Sequence, residues 1–542
     1  MQRRRLLALL AAGTAGLAGC NAADDPAEND PATRTTDPAT DAVTDRPPTD
    51  GAPSVATPPP AGEQHDHLDL PDGDGFAQFE RLTMPGADRA GALTGVRYRT
   101  DEGVAVRLRV LSSASAEGPA RIAATATNES PFVEHVRFLD IPPFHAPLRA
   151  DAAEYADVEL RDTSYRGDLQ LLPTAESDLI ETDPSVERTD AGVWRPAAGV
   201  THPDLPEVLR LEPGDTLYGE YVVVGHREGE GSLQPARYRQ SAPEGGFAIT
   251  LWERGAPGPS ADSRFADRTV PDLAGTWASD GTSERWFHEA DASTPTYLYP
   301  SAERVETPGR IRFTYVNHGE EIAGGNPYDW SLHKLVDGEW FHIAPRGINQ
   351  PMGFVQPGDT ETWDRTFYGG DGLDTGETER REALVFGGTD GVSHLGGGTY
   401  AARVGISVDD RDPAALFELV GDETVVTPTT DAETERPGGE LVVTDQTRAD
   451  AERPRDLVAE RVAADATEAG FDRRLIPEQV MQPWYAGFRN TLAFRSELRE
   501  ALDRIRLRTS RSVATNAVGY DREAVTVAFD GAAYRIEKRT PA

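Results

Sequence analysis

Two stretches of the chain repeat one another, and this repeat constrains the fold more than any other feature of the sequence. Residues 121–128 (RIAATATN) align without a gap with residues 310–317 (RIRFTYVN), and Pro-Gly-Asp-Thr at 213–216 recurs at 357–360. Repetition of this kind is typical of tandem copies of one domain. The two matches have different offsets, so the first copy carries extra residues, which we place within 145–205 because that stretch lacks clean alternation.

Apolar and polar residues alternate in short runs through both copies, which predicts β-strands rather than helices. The last alternating runs contain Phe247, Ile249 and Leu251 in the first copy and Tyr400, Ala402, Val404 and Ile406 in the second. Short strands separated by Pro-Gly-Asp turns predict antiparallel sandwiches. This arrangement resembles the immunoglobulin-like domains of prokaryotic surface proteins, across roughly 90–255 and 290–425. The resemblance implies two tandem immunoglobulin-like β-sandwiches.

The expected fold class is multidomain and mainly β, with a small α+β domain after the two sandwiches. Changes of composition along the chain set the expected boundaries. These are an export signal at 1–20, a disordered acidic tether rich in Pro and Thr at 21–75, a first sandwich at 76–255 with its insertion near 145–205, a linker at 256–285, a second sandwich at 286–423, a linker at 424–439 and the α+β domain at 440–542.

The C-terminal domain shows a different periodicity from the two copies. We predict a strand at 441–443, a helix at 450–470, a longer helix opened by Pro483 that continues through Ile505, and a hairpin at 524–538 around an Asp-Gly turn. The densest basic run of the chain follows on the longer helix and consists of Arg504, Arg506, Arg508 and Arg511. This run is interpreted either as a docking surface for an acidic partner or as a solvated helix end that stabilises the last carbonyls.

The first twenty residues indicate where the chain works. A charged start is followed by an apolar run at 6–17 that is too short to cross a bilayer, which takes about 20 residues, so it indicates an export signal. Arg3 and Arg4 before two leucines resemble a twin-arginine signal, and Leu-Ala-Gly-Cys at 17–20 resembles the lipobox of exported lipoproteins. The resemblance implies that Cys20 carries lipid and becomes the first mature residue. The alternative is an ordinary cleaved signal.

Cys20 is the only cysteine among 542 residues, which excludes intrachain disulfides and a Cys-rich zinc site. No later run of 18 apolar residues occurs, so a lipid is the expected means of membrane attachment. We therefore expect a protein anchored to the extracellular face of the cell membrane.

Acidic residues far outnumber basic ones, 91 against 54, and Lys334 and Lys538 are the only lysines. This composition resembles that of secreted proteins of extremely halophilic archaea, in which molar salt screens the self-repulsion of a net charge of −37. The alternative is a polyanion for cationic partners or divalent ions. Nucleic acid is excluded as a partner, since phosphate backbones require a basic face.

Two histidine pairs are the candidate metal ligands. His65 and His67 lie in the tether, and His333 and His342 flank a predicted hairpin turn at 337–338 and are expected to face each other across two strands. The tether pair has Asp66 and Asp69 beside it but lacks a supporting shell, and the hairpin pair lacks an identified third ligand; a metal site needs both. We therefore expect no metal and no other cofactor.

The sequence contains no recognisable catalytic motif. Ser393 and His394 are adjacent in a glycine-rich loop, but neighbouring residues rarely point at one another as a nucleophile and base must. Asn128-Glu129-Ser130 is an N-glycosylation sequon in an exported chain, although Pro131 directly after it disfavours modification. We expect no catalytic residue.

The favoured function is a non-catalytic binding or scaffolding role at the cell envelope, with the insertion of the first copy as the contact region. The expected partners are the membrane, through the lipid on Cys20, and an envelope protein or glycan. One alternative is an enzyme whose site lies in the C-terminal domain or at a domain junction. Another is an inhibitor or ligand-capture lipoprotein that serves a secreted enzyme or transporter.

Overall fold

A computed structural model describes residues 54–58, 78–145, 148–150, 152–153, 169–199, 205–227, 233–242, 245–273, 283–371, 391–448, 453–462 and 471–541. Within these ranges the chain is mainly β, as expected, and forms several sheets. None of the described helices is long and apolar enough to cross a membrane. The export signal and most of the expected tether lie outside the described residues.

The first copy forms two main sheets that share one hydrophobic core. Its strands are β1 (Val55–Ala56), β2 (Phe79–Met84), β3 (Arg89–Thr94), β4 (Arg97–Arg99), β5 (Val104–Ser112), β6 (Ala120–Asn128), β7 (Glu134–Arg137), β8 (Leu148–Ala150), β9 (Ala152–Ala153), β10 (Leu169–Pro173), β11 (Val186–Arg188), β12 (Trp194–Pro196), β13 (Val208–Leu211), β14 (Thr216–Gly225), β15 (Ala236–Ala242) and β16 (Gly245–Glu253). One sheet has the order β4-β5-β6-β14-β10-β8, the other the order β2-β3-β16-β15-β9, and β1, β13 and β7 form a small third sheet. Val106, Ile122 and Leu217 of the first sheet and Leu93 and Ile249 of the second are buried in one cluster, the first core.

The predicted insertion at 145–205 is partly built into this fold. Strand β10 pairs with β14 along five residues, and its Leu169 and Leu171 are buried in the first core. Strands β11 and β12 form a separate antiparallel hairpin. The described part of the insertion therefore extends a sheet and is not only an excursion into solvent; residues 146–147, 151, 154–168 and 200–204 lie outside the described ranges.

The second copy also has two sheets around one core. Its strands are β17 (Ser283–Trp286), β18 (Thr296–Pro300), β19 (Arg304–Glu306), β20 (Gly309–Asn317), β21 (Ala323–Val336), β22 (Glu339–Ala344), β23 (Gly353–Val355), β24 (Thr360–Phe367), β25 (Gly391–Val392), β26 (Gly398–Ser407) and β27 (Arg411–Val420). One sheet follows the order β17-β27-β26-β21-β22, with β19 also on β27 and β23 also on β21, and the other follows β18-β20-β24-β25. Buried aromatic residues of both sheets, including Phe313, Trp330, Trp363 and Phe417, form the second core.

The C-terminal part of the chain contains one sheet with helices packed on it. The strands are β28 (Glu433–Glu435), β29 (Glu440–Thr444), β30 (Pro454–Arg461), β31 (Arg473–Arg474), β32 (Arg504–Ser510), β33 (Ala524–Phe529) and β34 (Ala532–Arg539), and the helices are α1 (Pro477–Val480), α2 (Ala486–Leu492), α3 (Arg495–Glu500) and α4 (Arg511–Val518). The sheet order is β28-β29-β32-β30-β34-β33-β31. Phe488, Ala514 and Leu498 of the helices bury against Leu457 and Ile505 of the sheet, and this cluster is the third core.

Two helix predictions in this part of the chain are wrong, and two strand predictions are confirmed. Residues 454–461, for which the sequence predicts a helix, form β30, and the longer helix ends at Glu500, before β32 begins at Arg504. The alternation of Arg with Ile and Leu along β32 is the period of a strand, and it outweighs the heptad-like spacing that suggests a helix. The expected strand at 441–443 and the hairpin around Asp530-Gly531 are both present.

The two aligned asparagines, Asn128 and Asn317, make the same set of contacts. Each side-chain amide donates to the carbonyl four residues further on and to the carbonyl of the last residue of a strand in another sheet. Each amide oxygen accepts from the N–H two residues further on. For Asn128 these partners are Phe132 (2.7 Å), Leu211 (3.0 Å) and Ser130 (2.9 Å), and for Asn317 they are Glu321 (2.9 Å), Val355 (2.9 Å) and Gly319 (3.0 Å). The sequence repeat therefore corresponds to a repeated structural feature.

A second repeated feature identifies equivalent strands near the end of each copy. The hydroxyl of buried Tyr238 donates to the carbonyl of Gln234 at 3.0 Å, and that of buried Tyr400 donates to the carbonyl of Gly396 at 2.7 Å. Each tyrosine is the third residue of its strand, and its hydroxyl bonds to the carbonyl four residues before it. Strand β26 therefore corresponds to β15, and β27 to β16. The alternating runs that the sequence matches near the ends of the copies are not equivalent, because residues 247–251 lie in β16 and residues 400–406 lie in β26.

Candidate functional site

A cluster of buried and half-buried polar groups lies on the outer face of the second copy's larger sheet. Alternate side chains of a strand face opposite sides, so Leu332 and Ala402 face the second core while Ser331 and Arg403 face away from it. The pairing register extends this outer face across five strands. We call its polar members the polar row: Glu284, Asp329, Ser331, His333, His342, Arg403 and Asp412.

The two histidines of the polar row face each other, as the sequence predicted. His333 on β21 is paired with His342 on β22, and the ring centroids are 5.2 Å apart. The turn between the strands uses Asp337 and Gly338, both with positive φ. Burial is the main cause that lowers the pKa of His342 to about 4 and that of His333 well below its usual range. Both rings are therefore neutral at about pH 7.

An arginine lies at the centre of the polar row. The guanidinium of Arg403 donates to the Asp412 carboxylate through Nε at 3.1 Å and through a second, shorter bond from Nη2, and Asp329 lies 3.5 Å away. Gly405 is required here, because a Cβ at this position would lie about 2.3 Å from the Asp329 carboxylate. Burial raises the pKa of Asp329, and Arg403 opposes that shift.

The linker between the copies covers this face. The Trp340 indole N–H donates to the carbonyl of Pro271 at 2.7 Å, and the Leu273 N–H donates to the Glu284 carboxylate at 3.1 Å. Phe265 and Leu273 pack with Trp286 and Trp340 in a buried cluster. In its described part, up to residue 273, the expected linker has no strand, and its side chains shield the polar row from solvent.

The polar row does not bring further metal ligands to the candidate pair His333 and His342. Within the described ranges no group of three or more His, Cys, Asp or Glu residues is placed to hold a metal ion. The charge of Arg403 also lowers the pKa of both histidines, which shows that a positive potential acts on them. A bound cation would be repelled by the same potential.

Ser331 and His333 form a hydrogen-bonded pair, yet they lack the features of a nucleophile and base. The Ser331 hydroxyl oxygen lies 2.9 Å from His333 Nε2. Each residue is 1% exposed, and within the described structure His333 Nδ1 has no partner of the kind that orients a catalytic imidazole. The polar row is therefore a buried electrostatic network that links five strands and the linker.

A cleft of about 560 Å³ opens beside the polar row. Its lining residues are Glu284, Arg285, Trp286, Glu289, Ala290, Ser293, Thr294, Pro295, Thr296, Gly319, Glu320, Glu321, Val408 and Arg411. Both arginines of the lining pair with Asp409, and the Ser293 hydroxyl donates to Asp291 at 2.7 Å. The volume is typical of ligand sites, but the polar groups named here hold the walls of the cleft together.

A second buried polar site joins the second copy to the C-terminal part. Lys334 Nζ lies 2.5 Å from the Glu478 carboxylate and 5.4 Å from the centre of the Tyr400 ring. Both charged side chains are buried, and Glu478 also accepts from the Gly396 N–H at 3.3 Å. One of only two lysines in the chain therefore forms a buried ion pair across this junction. The rarity of lysine is the one sequence signal that could have singled it out.

Helix α1 and the residues on either side of it contribute several contacts of this junction. Gln479 donates to the carbonyl of His342 at 2.9 Å, and Gln482, just after the helix, donates to the carbonyl of Ser393 at 3.1 Å. Ile476, directly before α1, is buried in the second core although it belongs to the C-terminal part. The expected linker at 424–439 is therefore not the only connection between these parts.

The loop of Ser393 and His394 belongs to the same junction and not to a catalytic pair. His394 has a positive φ, and its Nε2 lies 3.3 Å from Asp371, while the carbonyl of Ser393 accepts from Gln482. Burial lowers the pKa of His394. The contacts of this loop connect it to the end of α1, which the sequence could not indicate.

Asn128, the predicted glycosylation residue, is 1% exposed. Both hydrogens of its amide are donated to carbonyl oxygens, as described above. A glycan on this nitrogen would require the repeated asparagine network to open. The folded geometry therefore argues against modification at Asn128.

The basic run does not lie on a helix face. Arg504, Arg506 and Arg508 share one face of strand β32, and Arg511 begins helix α4. Glu440 lies 2.8 Å from Arg504 and 3.0 Å from Arg506. This carboxylate offsets part of the local positive charge. The interpretation as a solvated helix end is wrong, because Arg504, Arg506 and Arg508 lie on a strand, and the docking surface stays a prediction.

The remaining predicted site residues lie outside the described ranges, and their roles stay predictions. They are the signal residues Arg3 and Arg4, the lipid-bearing Cys20 and the tether pair His65 and His67.

Sequence reasoning does not find Arg403, Asp412 and Glu284. These residues come together only because β17, β27, β26 and β21 are neighbours in the sheet. No local signal in the sequence marks them as members of one network.

Comparison with known proteins gives no family for this chain. No family model matches it, and no curated protein matches it. Three solved structures each share 10% sequence identity with this chain. A polysaccharide lyase covers 62% of the chain with a TM-score of 0.11, and the FN1–FN3 domains of chicken CNTN1 cover 67% with a TM-score of 0.11. The BSP domain of a biofilm-associated protein covers 73% with a TM-score of 0.13. The matches cover 36%, 81% and 60% of those chains. At such TM-scores these similarities support no conclusion about this chain.

Proposed function

We propose that the chain is a lipid-anchored cell-surface protein with a non-catalytic binding or scaffolding role at the cell envelope. Its folded part would consist of two immunoglobulin-like β-sandwiches and an α+β domain. Support for the anchor comes from the resemblance of residues 17–20 to a lipobox and from Cys20 as the lone cysteine. The acidic composition favours a surface exposed to high salt.

Repeated features support the immunoglobulin-like assignment. Tyr238 and Tyr400 bond to backbone carbonyls four residues upstream, which is the contact made by the tyrosine corner of that fold. In the first copy, one sheet has β6 as an inner strand and the other sheet contains β15, which carries Tyr238, and β16. In the second copy, one sheet has β20 as an inner strand and the other contains β26, which carries Tyr400, and β27. The two Asn networks add an equivalent turn in both copies.

The observation that carries the scaffolding role is that charged and aromatic groups fix neighbouring parts of the chain to one another. Lys334 and Glu478 join the second copy to the C-terminal part, and Arg237 and Asp359 join the two copies at 2.6 Å. The His318 ring stacks on Trp252 at the same junction, with centroids 4.8 Å apart. A buried ion pair by itself is weak evidence for stability, because its desolvation cost can exceed the attraction. We take these contacts to hold the modules in a fixed arrangement, which a scaffold requires.

Lipid attachment is tested by replacing the lone thiol. We expect the Cys20→Ser chain to lose acylation, measured by metabolic lipid labelling. The matched control is Ser54→Ala, an equally small substitution that lies beyond the signal and leaves the thiol in place. Retention of the lipid label in Cys20→Ser protein would contradict the anchor.

The binding role is tested by purifying the native protein from detergent-solubilised membranes at high salt. A scaffold should retain an envelope protein or glycan. Recovery of a secreted enzyme or transporter in a fixed ratio would instead support the inhibitor or ligand-capture alternative.

The cleft beside the polar row is the observation that favours the enzyme alternative. Its volume of about 560 Å³ could hold a small ligand, and it lies where Glu320 of the second copy approaches Arg81 of the first. Turnover that is lost in a Glu289→Gln variant and retained in Glu500→Gln, which alters an exposed glutamate outside the cleft, would favour an enzyme over a scaffold.

A further inference from the structure

The small sheet of β1, β13 and β7, here called the entry sheet, is where the described chain begins. Val55 and Ala56 pair in parallel with Val208 and Leu209 on β13. The Val208 N–H donates to the carbonyl of Ser54 at 3.3 Å. The polypeptide that leads back to Cys20 therefore joins the folded part at this sheet.

One face of the entry sheet is buried and the other is open. Ala56, Leu209 and Val136 occupy one row across the three strands, and all three are buried in the first core. Their neighbours Val55 and Arg137 face the opposite side, because side chains alternate along a strand. Val55 is 51% exposed.

Large apolar side chains are exposed on both sides of strand β7 in the sequence. Phe132, two residues before β7, is 71% exposed, and Leu139, two residues after it, is 61% exposed. Val133 lies between Phe132 and the strand and is also exposed. Exposed apolar residues scattered singly need no explanation, but four of them around one short sheet indicate a contact surface.

Basic groups accompany the apolar ones. Arg210 and His135 form one row of the open face, and Arg137 lies in the next row beside Val208. Acidic residues lie at the edge: Arg210 pairs with Glu212 at 2.6 Å, Arg137 approaches Asp140 at 3.8 Å, and Glu207 is exposed. In a chain with a net charge of −37 this nearly balanced face is unusual.

We propose that the open face of the entry sheet, with Phe132, Val133 and Leu139, rests on the lipid surface. The proposal rests on the lipid anchor proposed above, because it takes the membrane to be on the Cys20 side of the chain. Residues 21–53 separate that cysteine from Ser54. Thirty-three residues reach at most about 110 Å even when fully extended, so the entry sheet stays within that distance of the bilayer whenever Cys20 is anchored.

The side chains of this face match the chemistry of a bilayer interface. Apolar side chains enter the boundary between headgroups and acyl chains, and arginines approach the lipid phosphates. The surrounding acidic protein is repelled by anionic lipids in dilute buffer, but the Debye length falls to about 3 Å at molar salt. Lipid contact should therefore strengthen with salt, in contrast to purely electrostatic binding.

The test uses the purified Cys20→Ser chain without residues 1–19, so that neither the apolar run at 6–17 nor a lipid contributes and any lipid binding comes from the folded surface. Vesicles of phosphatidylcholine and phosphatidylglycerol are floated with the protein in molar KCl. We expect the chain to float with them, and the double substitution Phe132→Asp and Leu139→Asp to lower the partition coefficient about tenfold or more. The matched control is Met352→Asp with Tyr520→Asp, which alters two similarly exposed apolar residues elsewhere and should leave partitioning unchanged.

A single-cysteine label gives an independent readout. Because Cys20 is the only natural cysteine, Leu139→Cys or Tyr520→Cys in the Cys20→Ser chain accepts one environment-sensitive fluorophore. Vesicles should shift the emission of the label at position 139 to shorter wavelength and leave the label at position 520 unaffected. Equal shifts, or no partitioning of the Cys20→Ser chain, would overturn the proposal.

These outcomes separate the surface from the anchor. Vesicle binding by the Cys20→Ser chain, together with a native protein that carries no acyl group, would support the entry sheet and remove the lipid anchor. Acylation of Cys20 without any vesicle binding by the folded surface would support the lipid anchor and remove the entry sheet as a lipid-binding surface.

Discussion

At the scale of single residues, the neighbouring imidazoles of His333 and His342 have a definite effect on stability. Burial lowers the pKa of each below its value in the unfolded chain. The unfolded state then binds more protons than the folded state between pH 6.5 and about 4. Stability contributed by these groups is complete above pH 6.5 and is lost as the pH falls through this window.

We therefore predict that His342→Phe flattens the pH dependence of the free energy of unfolding between pH 6.5 and about 4. The difference in free energy of unfolding between the unaltered chain and His342→Phe should change by on the order of 3 kcal/mol between pH 6.5 and about 4. Urea unfolding at several pH values in molar salt measures it. Burial raises the pKa of Glu284 and of Asp329, which acts in the opposite direction, so only the difference between the two chains isolates the histidine. His135→Phe, at an exposed position, is the control and should leave the profile unchanged.

The Lys334–Glu478 pair makes a second prediction at this scale. Lys334→Met leaves a buried carboxylate without its cation, which should lower the free energy of unfolding by about 3–5 kcal/mol. Glu478→Gln should be similarly costly. The double variant should lose much less than the sum, since it leaves no unpaired charge, and a double-mutant cycle by chemical denaturation measures this coupling. Additive losses would show that the two charges do not interact in solution.

At the scale of elements, the turn of the repeated Pro-Gly-Asp-Thr motif differs in its surroundings between the copies. Gly214 and Gly358 have φ values of +86° and +83°. A Cβ at Gly214 would meet open space, whereas one at Gly358 would lie 3.0 Å from Ala92 and 3.3 Å from Thr250 of the first copy. The second copy therefore uses the motif to pack against the first.

This difference supplies a matched pair of substitutions. Gly214→Ala should cost about 1–2 kcal/mol, because an L-residue is strained in a left-handed conformation. Gly358→Ala should cost the same plus about 1 kcal/mol more, since the added methyl group crowds the junction. Thermal unfolding of both variants measures the difference. Equal losses would mean that the two copies do not pack at this turn.

How much of these elements could be predicted depends on the range of the interactions that form them. The His333–His342 hairpin follows from a two-residue Asp-Gly turn, which fixes the register locally. Strand β30 escapes prediction because Val458 and Val462 also fit a helical spacing, and its pairing with β32 and β34 lies beyond any local window. Arg403 and Glu284 meet only through the order of strands in the sheet, which short-range patterns do not contain.

At the scale of the whole molecule, the contacts between the three cores determine how cooperatively the folded part unfolds. Ile476 is buried in the second core, while the next helix, α1, belongs to the C-terminal part. Ile476→Ala removes this shared burial and should cost about 2–4 kcal/mol. We predict that calorimetry then resolves a separate transition of the C-terminal part. Val525→Ala, which empties space within the third core alone, should lower stability without separating the transitions.

Net charge makes the last prediction at this scale. A net charge of −37 repels itself across the compact chain, and unfolding relieves that repulsion by moving the charges apart. Because salt shortens the Debye length from about 10 Å at 0.1 M to about 3 Å at 1 M, the midpoint of thermal unfolding should rise steeply over this range. Salt also screens attractive ion pairs. Exposed pairs such as Arg81–Glu320 contribute little to stability, so screening them should not reverse the rise of the midpoint. Thermal scans in KCl and in sorbitol of equal osmolality distinguish charge screening from solute exclusion. A midpoint that is constant in KCl, or that rises equally in sorbitol, would show that charge repulsion does not limit the stability of this protein.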